Sequence, residues 1–165
     1  MKYLMLRKSD REALVSGLSA MPDFLTKAFH SLSEEEAKKP GPADTFSPVQ
    51  QCWHLADLED EAFGVRIRRL LREESPELPD FDGARQAVER DYNTKSLAAG
   101  ILAFNNARAT NLEILRSVTL EQWNRTGSQE GVGKVSLCDI PVMMAEHDAA
   151  HRHEIEAWLG QFSDS

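Results

Sequence analysis

Cysteine and long apolar runs are both scarce in this sequence of 165 residues. Its two cysteines, Cys52 and Cys138, form no CxxC pair, which excludes a disulfide framework and a cysteine-rich zinc module. The apolar run at residues 1–7 is too short for a signal peptide, and no segment reaches the roughly 20 apolar residues of a membrane span. We therefore expect a cytoplasmic protein, with both cysteines as small buried residues rather than reactive thiols.

Positive charge is also scarce. The chain has 19 Lys and Arg residues against 27 Asp and Glu residues, so its formal net charge is −8. Such a surface repels the phosphate backbone of DNA. The most basic segment, residues 66–72, shares its predicted helix with the acidic residues of segment 57–61. We therefore expect neither nucleic acid nor a membrane surface as a partner.

The remaining composition, 41% hydrophobic and 28% charged, is typical of a globular protein. A chain of this length fits one domain with its own core, so we predict a single domain at residues 1–165. Apolar residues recur at helical spacing in four long runs, at about residues 10–32, 47–72, 95–117 and 139–162. This pattern predicts an all-α four-helix bundle.

Local signals predict the details of the first two helices. Pro22 predicts a kink near Met21 inside the first helix. Ser47 and Gln50 match a capping box, and Pro48 between them suits the first position of a helix. The second helix is therefore expected to begin directly after Ser47.

The second half of the chain carries similar signals. A short helix is expected after Asp82, and the glycine-rich connector at residues 123–133 predicts a brief hairpin. The last helix could begin at Ser136 or Asp139. Pro141 favours the Asp139 start, because from Ser136 it would remove an intrahelical hydrogen bond.

Three histidines are the main indication of chemistry. His147 and His151 lie four residues apart on the apolar face of the last predicted helix, so their imidazoles can converge on one ion. His54, on the second predicted helix, can supply a third ligand. Buried imidazoles need polar partners, and a divalent cation provides one at about 2.0–2.1 Å. The alternative is that each histidine is a core residue with its own hydrogen-bond partner.

The other two histidines do not fit this group. His153 is about 200° around the helix from His151 and should face solvent. His30, near the end of the first helix, is placed to interact with the helix dipole. Because Asp148 rather than glutamate follows His147, the sequence does not match the HExxH motif of zinc proteases.

Two arginines are candidates for binding an anionic substrate. Arg108 lies in a stripe of Leu, Ile and Phe on the third predicted helix. A guanidinium there must reach solvent, pair with a carboxylate such as Asp57 or Glu61, or bind an anionic ligand. Arg125, in the glycine-rich connector, has similar potential with weaker support.

Acidic residues near the histidines complete the candidate site. Asp57 and Glu61 lie one and two turns after His54 on the same side of the helix, where either could be a fourth ligand, a hydrogen-bond acceptor or a base. Asp148 adjoins the first histidine of the last helix. Most acidic residues on helices are simply solvated. The catalytic candidates are Arg108, Arg125, Glu61 and Asp148.

Together these motifs resemble the DinB-like (DinB/YfiT) superfamily of metalloenzymes. The segments that carry the resemblance cover nearly the whole chain in the same order, and their combination is more specific than any one of them. They are Ser47 to His54 with Leu55-Ala-Asp-Leu-Glu59, Trp123-Asn-Arg-Thr-Gly127 with Gly133-Lys-Val-Ser-Leu137, and His147-Asp-Ala-Ala-His151.

The resemblance implies an up-and-down four-helix bundle with a long crossover connection. It also implies a divalent metal ion (zinc, nickel or iron) held by His54, His147 and His151. Some relatives are transferases or isomerases that use a low-molecular-weight thiol. An early proline such as Pro141 in the metal helix departs from the family pattern and puts the start of that helix in question.

Two functional hypotheses follow. In the first, the protein is a metal-dependent enzyme, either a thiol-dependent transferase or isomerase or a hydrolase, that acts on a small anionic substrate. In the second, it is a non-catalytic metal-binding or protein-interaction module. Bundles of this size often dimerise through an exposed helix face, so a homodimer is expected.

Overall fold

The computed structural model describes residues 6–161, and the predicted end of the last helix near Phe162 lies outside this range. A π-helical turn occupies Glu59–Phe63, and short 3₁₀ turns occupy Pro42–Asp44 and Tyr92–Thr94. The helices are α1 (Lys8–Leu18), α2 (Met21–Phe29), α3 (Glu34–Ala37), α4 (Pro48–Leu58), α5 (Gly64–Arg72), α6 (Gly83–Arg90), α7 (Leu97–Arg116), α8 (Leu120–Trp123) and α9 (Asp139–Gly160). The strands are β1 (Glu77–Leu78), β2 (Thr126–Gln129) and β3 (Gly133–Ser136).

The predicted four-helix bundle is confirmed. Its four members are α1 with α2, α4 continued through the π turn into α5, α7, and α9, with α4 packed on α7 and α1 packed on α9. The long crossover at residues 73–96 joins α5 to α7 and contains β1 and α6. Within residues 6–161, no helix has both the length and the apolar character needed to cross a bilayer.

A small sheet accompanies the bundle. The predicted hairpin is present as antiparallel β2 and β3, and β1 pairs parallel to β2. The sequence did not predict β1, because a two-residue strand carries no periodic pattern. The sheet ties the crossover to the connector that leads into α9.

The predicted helix starts in the second and last runs are confirmed. Ser47 accepts a hydrogen bond from the Gln50 backbone N–H, and the Gln50 side chain accepts one from the Ser47 N–H. Helix α9 begins at Asp139, which places Pro141 in its first turn. The N–H groups of a first turn have no intrahelical partner, so Pro141 does not disturb the helix.

The first helical run differs from the prediction. It is two helices rather than one kinked helix: α1 ends at Leu18, and α2 begins at Met21 with Pro22 in its first turn. A proline is well tolerated at that position, so Pro22 starts a helix instead of bending one. The break has a consequence, because it leaves the Leu18 carbonyl free to accept a hydrogen bond from elsewhere.

The π turn is the other feature that the sequence pattern missed. Its i+5 hydrogen bond, from the Gly64 N–H to the Glu59 carbonyl, adds one residue to the helical turn. The Glu59 side chain is 1% exposed and faces Asn111 of α7, whose amide donates to both the Glu59 carboxylate and the Glu59 carbonyl. The wider turn therefore places an acidic side chain inside the bundle.

A layer of buried charge separates two apolar clusters of the core. At its centre, Arg108 is 1% exposed and forms a bidentate pair with Asp148 at 2.7 and 2.8 Å. Its other bonds go to Glu59 at 2.9 Å and to the Leu18 carbonyl at 2.8 Å. We call Arg108, Glu59, Asn111 and Asp148 the Arg108 cluster.

The predicted internal ion pair of Arg108 therefore exists, but its predicted partners were wrong. Asp57 and Glu61 instead face the crossover, where both accept hydrogen bonds from Arg90. Glu59, rather than Asp57 or Glu61, is the acidic residue that faces Arg108 on α7.

Substitution of Arg108 by Met should destabilise the protein by about 3–5 kcal/mol, because Glu59 and Asp148 would be left buried without a counter-charge. Denaturant unfolding at neutral pH measures this loss. Arg85→Met is a matched control that breaks an exposed pair with Glu89, and it should cost no more than about 1 kcal/mol. Equal losses in the two variants would contradict the role of the Arg108 cluster.

Candidate metal centre

The three predicted histidines meet in one place. The ring centroids of His147 and His151 are 4.3 Å apart, and that of His54 lies 5.5 and 4.7 Å from them. Each ring offers one nitrogen such that all three ligand atoms lie within 4.8 Å of one another. In the described part of the chain this is the group of histidine, cysteine and acidic side chains that could hold a metal ion.

Two elements bring these rings together. His147 and His151 are one turn apart on α9, and His54 lies on α4. His54 and His151 are both 8% exposed, and His147 is half-buried. His153 is exposed, as predicted, and His30 directly follows α2 and bonds to the Lys27 carbonyl. Neither belongs to the cluster.

A hydrogen-bond chain fixes the tautomer of His151. The Gln51 amide nitrogen donates to Glu154 at 2.7 Å, so the Gln51 amide oxygen must face His151 Nδ1, which lies 2.8 Å away. An amide oxygen only accepts hydrogen bonds, and therefore Nδ1 carries the proton. The lone pair of His151 is then on Nε2, where it is available to a metal ion.

His54 is held by close packing. A Cβ atom added to Gly83 would lie 2.4 Å from Cε1 of His54 and 2.9 Å from its Nδ1, so the crossover backbone reaches the ring only because residue 83 is glycine. Phe46 packs on the same imidazole with 5.2 Å between ring centroids. Buried Nδ1 of His54 has no hydrogen-bond partner within residues 6–161.

The surroundings of the three histidines keep their imidazoles in the neutral form. Burial, together with the neighbouring His151, lowers the pKa of His54 to about 4. Burial and the neighbouring charges of His151, His54 and Arg108 lower the pKa of His147 to about 2. Burial also lowers the pKa of His151, against the opposing charges of Glu154 and Asp148. All three imidazoles are therefore neutral at pH 7, which is the form that binds metals.

This donor set fits a divalent transition metal. Three imidazole nitrogens are typical of catalytic zinc sites and also suit nickel and iron. A tetrahedral ion with bonds of about 2.1 Å needs ligand nitrogens about 3.4 Å apart. Closing the cluster on an ion thus requires ring movements on the order of 1 Å.

Each of the four catalytic candidates contacts other protein groups. Asp148 and Arg108 pair with each other, next to the histidines. Glu61 is exposed and forms a bidentate pair with Arg90. Arg125 donates to the carbonyls of Leu70 and Glu73, which anchors the connector to the end of α5.

Sequence reasoning missed several residues of the site. Gln51 and Glu154 each lie three positions from a histidine, at His54 and His151, which is a spacing that could have indicated contact on a helix face. Gly83 carries no such signal, because its role depends on where the crossover passes. Both cysteines are buried, and burial raises the pKa of the Cys52 thiol far above its usual range.

Comparison with known proteins agrees with this geometry. The sequence profile of the DinB superfamily matches residues 18–155, which is most of the chain and includes all three histidines. The chain belongs to the DinB superfamily. The family assignment predicted from the sequence motifs is thereby confirmed.

Curated relatives of this family member carry functional names. Proteins of Geobacillus kaustophilus and Oceanobacillus iheyensis, each named "putative metal-dependent hydrolase", are 23% and 26% identical over 142 residues. The alignments cover 86% of this chain and 79% and 80% of those proteins. A protein of Geobacillus thermodenitrificans with the same description is 22% identical over 150 residues, which cover 90% of this chain and 84% of that protein.

A solved structure shares the fold. YfiT from Bacillus subtilis, described as a probable metal-dependent hydrolase with an unusual four-helix bundle topology, matches with a TM-score of 0.85. The match covers 94% of this chain and 89% of YfiT at 18% sequence identity. At that identity the similarity supports the fold of this DinB family member and not its reaction.

Substitution of Gln51 by Leu should weaken zinc binding about 10–100-fold, because His151 would lose the acceptor that fixes its tautomer. Competition with a chromophoric chelator measures the affinity, and ¹⁵N NMR of the metal-free imidazoles reports the tautomer directly. Glu154→Gln is the comparison variant, since it removes the charge but keeps an acceptor for the Gln51 amide. Unchanged affinity and an unchanged tautomer in Gln51→Leu would contradict this role.

The metal-free protein should lose stability as the pH falls below about 6.5. In that range the unfolded chain binds protons that the folded cluster rejects, since the pKa values of His54 and His147 in the fold are about 4 and about 2. Each histidine contributes a slope of about 1.4 kcal/mol per pH unit to the free energy of unfolding. The contribution is absent above pH 6.5, where both states are neutral.

Urea unfolding of metal-free wild type and His147→Gln between pH 7.5 and pH 5 tests this linkage. The variant should show a slope that is smaller by about 1.4 kcal/mol per pH unit. His153→Gln serves as the control, because His153 is exposed and should leave the slope unchanged. Parallel curves for wild type and His147→Gln would show that His147 titrates normally in the fold.

Proposed function

We propose that this protein is a divalent-metal-dependent hydrolase whose ion is held by His54, His147 and His151. The observation that carries the proposal is the convergence of three neutral, mostly buried imidazoles from two helices on one point. Three histidine ligands leave at least one coordination position open, which is the pattern of catalytic rather than structural zinc sites. The names of the relatives support hydrolysis.

The bound ion would supply Lewis acidity, which polarises a scissile bond and generates a water nucleophile at neutral pH. The protein's own groups do the rest. Gln51 and Glu154 hold His151 in the ligating tautomer, and the cluster stays neutral because burial disfavours its protonation. Phe46 and Phe63 pack on His54 and His147 at 5.2 and 5.8 Å, so apolar walls limit water around the site.

Hydrolysis is favoured over thiol transfer for a specific reason. Three relatives share the hydrolase name, whereas the thiol was implied only by the family resemblance. In our proposal the substrate of either reaction binds the ion as an anion. It is a small anionic compound in hydrolysis and a low-molecular-weight thiol in thiol transfer. A direct comparison of the two reactions with the metal-loaded protein distinguishes them.

The non-catalytic alternative makes a different prediction about coordination. A structural site would be closed by a fourth protein ligand. Asp57 and Glu61, which the sequence analysis considered as a fourth ligand, are instead bound by Arg90, and Tyr92 also donates to Asp57 at 2.6 Å. This arrangement favours an open site.

A homodimer stays a proposal, to be measured by light scattering.

Substitution of His54, His147 or His151 by Ala should each abolish stoichiometric binding of zinc, nickel or iron, because two imidazoles bind a divalent ion far more weakly than three. Elemental analysis of the purified, untagged protein measures the content. His153→Ala is the control, as it removes an exposed histidine of the same helix and should retain the metal.

The loaded wild type should then hydrolyse an activated carboxylic or phosphate ester, and the three variants should not. A wild type that binds no added zinc, nickel or iron would overturn the proposal. Stoichiometric metal with thiol transfer but no ester hydrolysis would keep the metal site and replace the reaction.

A further inference from the structure

Arg66 is a buried guanidinium without a counter-charge. It is 7% exposed, and within residues 6–161 it takes part in no ion pair within 4.0 Å. Its one hydrogen bond is a long one, 3.4 Å from a terminal nitrogen to the Pro79 carbonyl, and its Nε has no partner. Unpaired buried charge is costly, so a fold rarely keeps it for stability alone.

Arg66 and Arg108 differ in their hydrogen-bond partners. Arg108 is also buried, but its two terminal nitrogens make four hydrogen bonds, three of them to carboxylates. Burial lowers the pKa of Arg108, yet Asp148 and Glu59 outweigh that effect and raise it overall. Burial lowers the pKa of Arg66 as well, and there the more distant Asp80 does not compensate. Arg66 lacks the anion that Arg108 has.

Arg66 and His147 contact the same aromatic ring. Its Cζ is 5.9 Å from the centroid of the Phe63 ring, one turn earlier on the same helix. The same ring packs on His147 with 5.8 Å between centroids. Pro79, which accepts the one hydrogen bond of Arg66, belongs to the crossover that brings Gly83 against His54. The Phe63 ring therefore contacts both this guanidinium and one of the candidate metal ligands.

We propose that Arg66 binds the oxyanion of the substrate, a carboxylate or phosphate group, beside the three-histidine site. The guanidinium fork matches both groups and forms bidentate, charge-assisted hydrogen bonds with them. The role that the sequence suggested for Arg108 or Arg125 thus goes to an arginine with free donors. This inference rests on the proposed function for its substrate, whereas anion binding itself requires no metal.

The test is titration of the purified protein with inorganic phosphate and with acetate, before and after zinc loading, followed by calorimetry. Wild type should bind at least one of the two anions in both forms. Arg66→Met should lower that affinity at least about tenfold, the usual effect of losing a charged hydrogen-bond partner. Arg66→Lys should retain part of the affinity, because it keeps the charge but not the fork.

Arg69→Met is the matched control on the same helix, since Arg69 is paired with Glu73, and it should bind anions like wild type. Urea unfolding should place Arg66→Met at or above the wild-type midpoint, because an unpaired charge is replaced by an apolar side chain. A lower midpoint for both Arg66 variants would assign Arg66 a structural role and overturn the proposal.

Three further outcomes bear on whether this inference and the proposed function stand or fall separately. Arg66-dependent anion binding in a protein that takes up no metal would support the inference while the hydrolase proposal fails. Anion affinity that is equal in wild type and Arg66→Met, in either form, would overturn the inference and leave the metal site standing. Absence of anion binding by the wild type in both forms would also overturn it.

Discussion

The ion pairs of Arg108 fix how the bundle is aligned at the level of the candidate site. One guanidinium bonds the end of α1 through the Leu18 carbonyl, the π turn through Glu59, and α9 through Asp148. Asp148 directly follows His147, so a shift of α9 by one residue would break a bidentate pair and displace a candidate ligand together. The register of the metal helix is therefore set by buried charge as well as by apolar packing, which tolerates sliding more readily.

The crossover at residues 73–96 provides the second constraint. It touches the site through Gly83 at His54, and Arg90 and Tyr92 bond Asp57 one turn further along α4. These contacts occupy Asp57, the carboxylate that precedes the π turn. His54 is thereby held by the packing of Gly83 in the crossover, whereas His151 is held by a hydrogen bond to Gln51 of α4. The two ligand-bearing helices are thus positioned by different parts of the chain.

Much of this arrangement could be predicted from sequence, and the reasons for the failures are physical. Helix periodicity and the capping box at Ser47 locate the bundle, and the i, i+4 spacing of His147 and His151 locates the site, because both are local properties of one helix. The partners of Arg108 could not be predicted in this way. They depend on the π turn and on the break after Leu18, which change the direction of side chains without changing the apolar pattern.

The placement of arginines also determines which charge the site presents. Arg90 pairs with Asp57 and Glu61, and Arg108 pairs with Asp148, so these three carboxylates are engaged by arginines rather than by an ion. Glu154, beside His151, accepts a hydrogen bond from the Gln51 amide. Neutral imidazoles do not reduce the charge of a divalent ion as carboxylate ligands do, and a site made of them alone keeps the full positive charge. An unpaired Arg66 adds to that charge instead of balancing it. Under the proposed function, the ion and Arg66 would therefore both attract an anionic substrate rather than a cationic one.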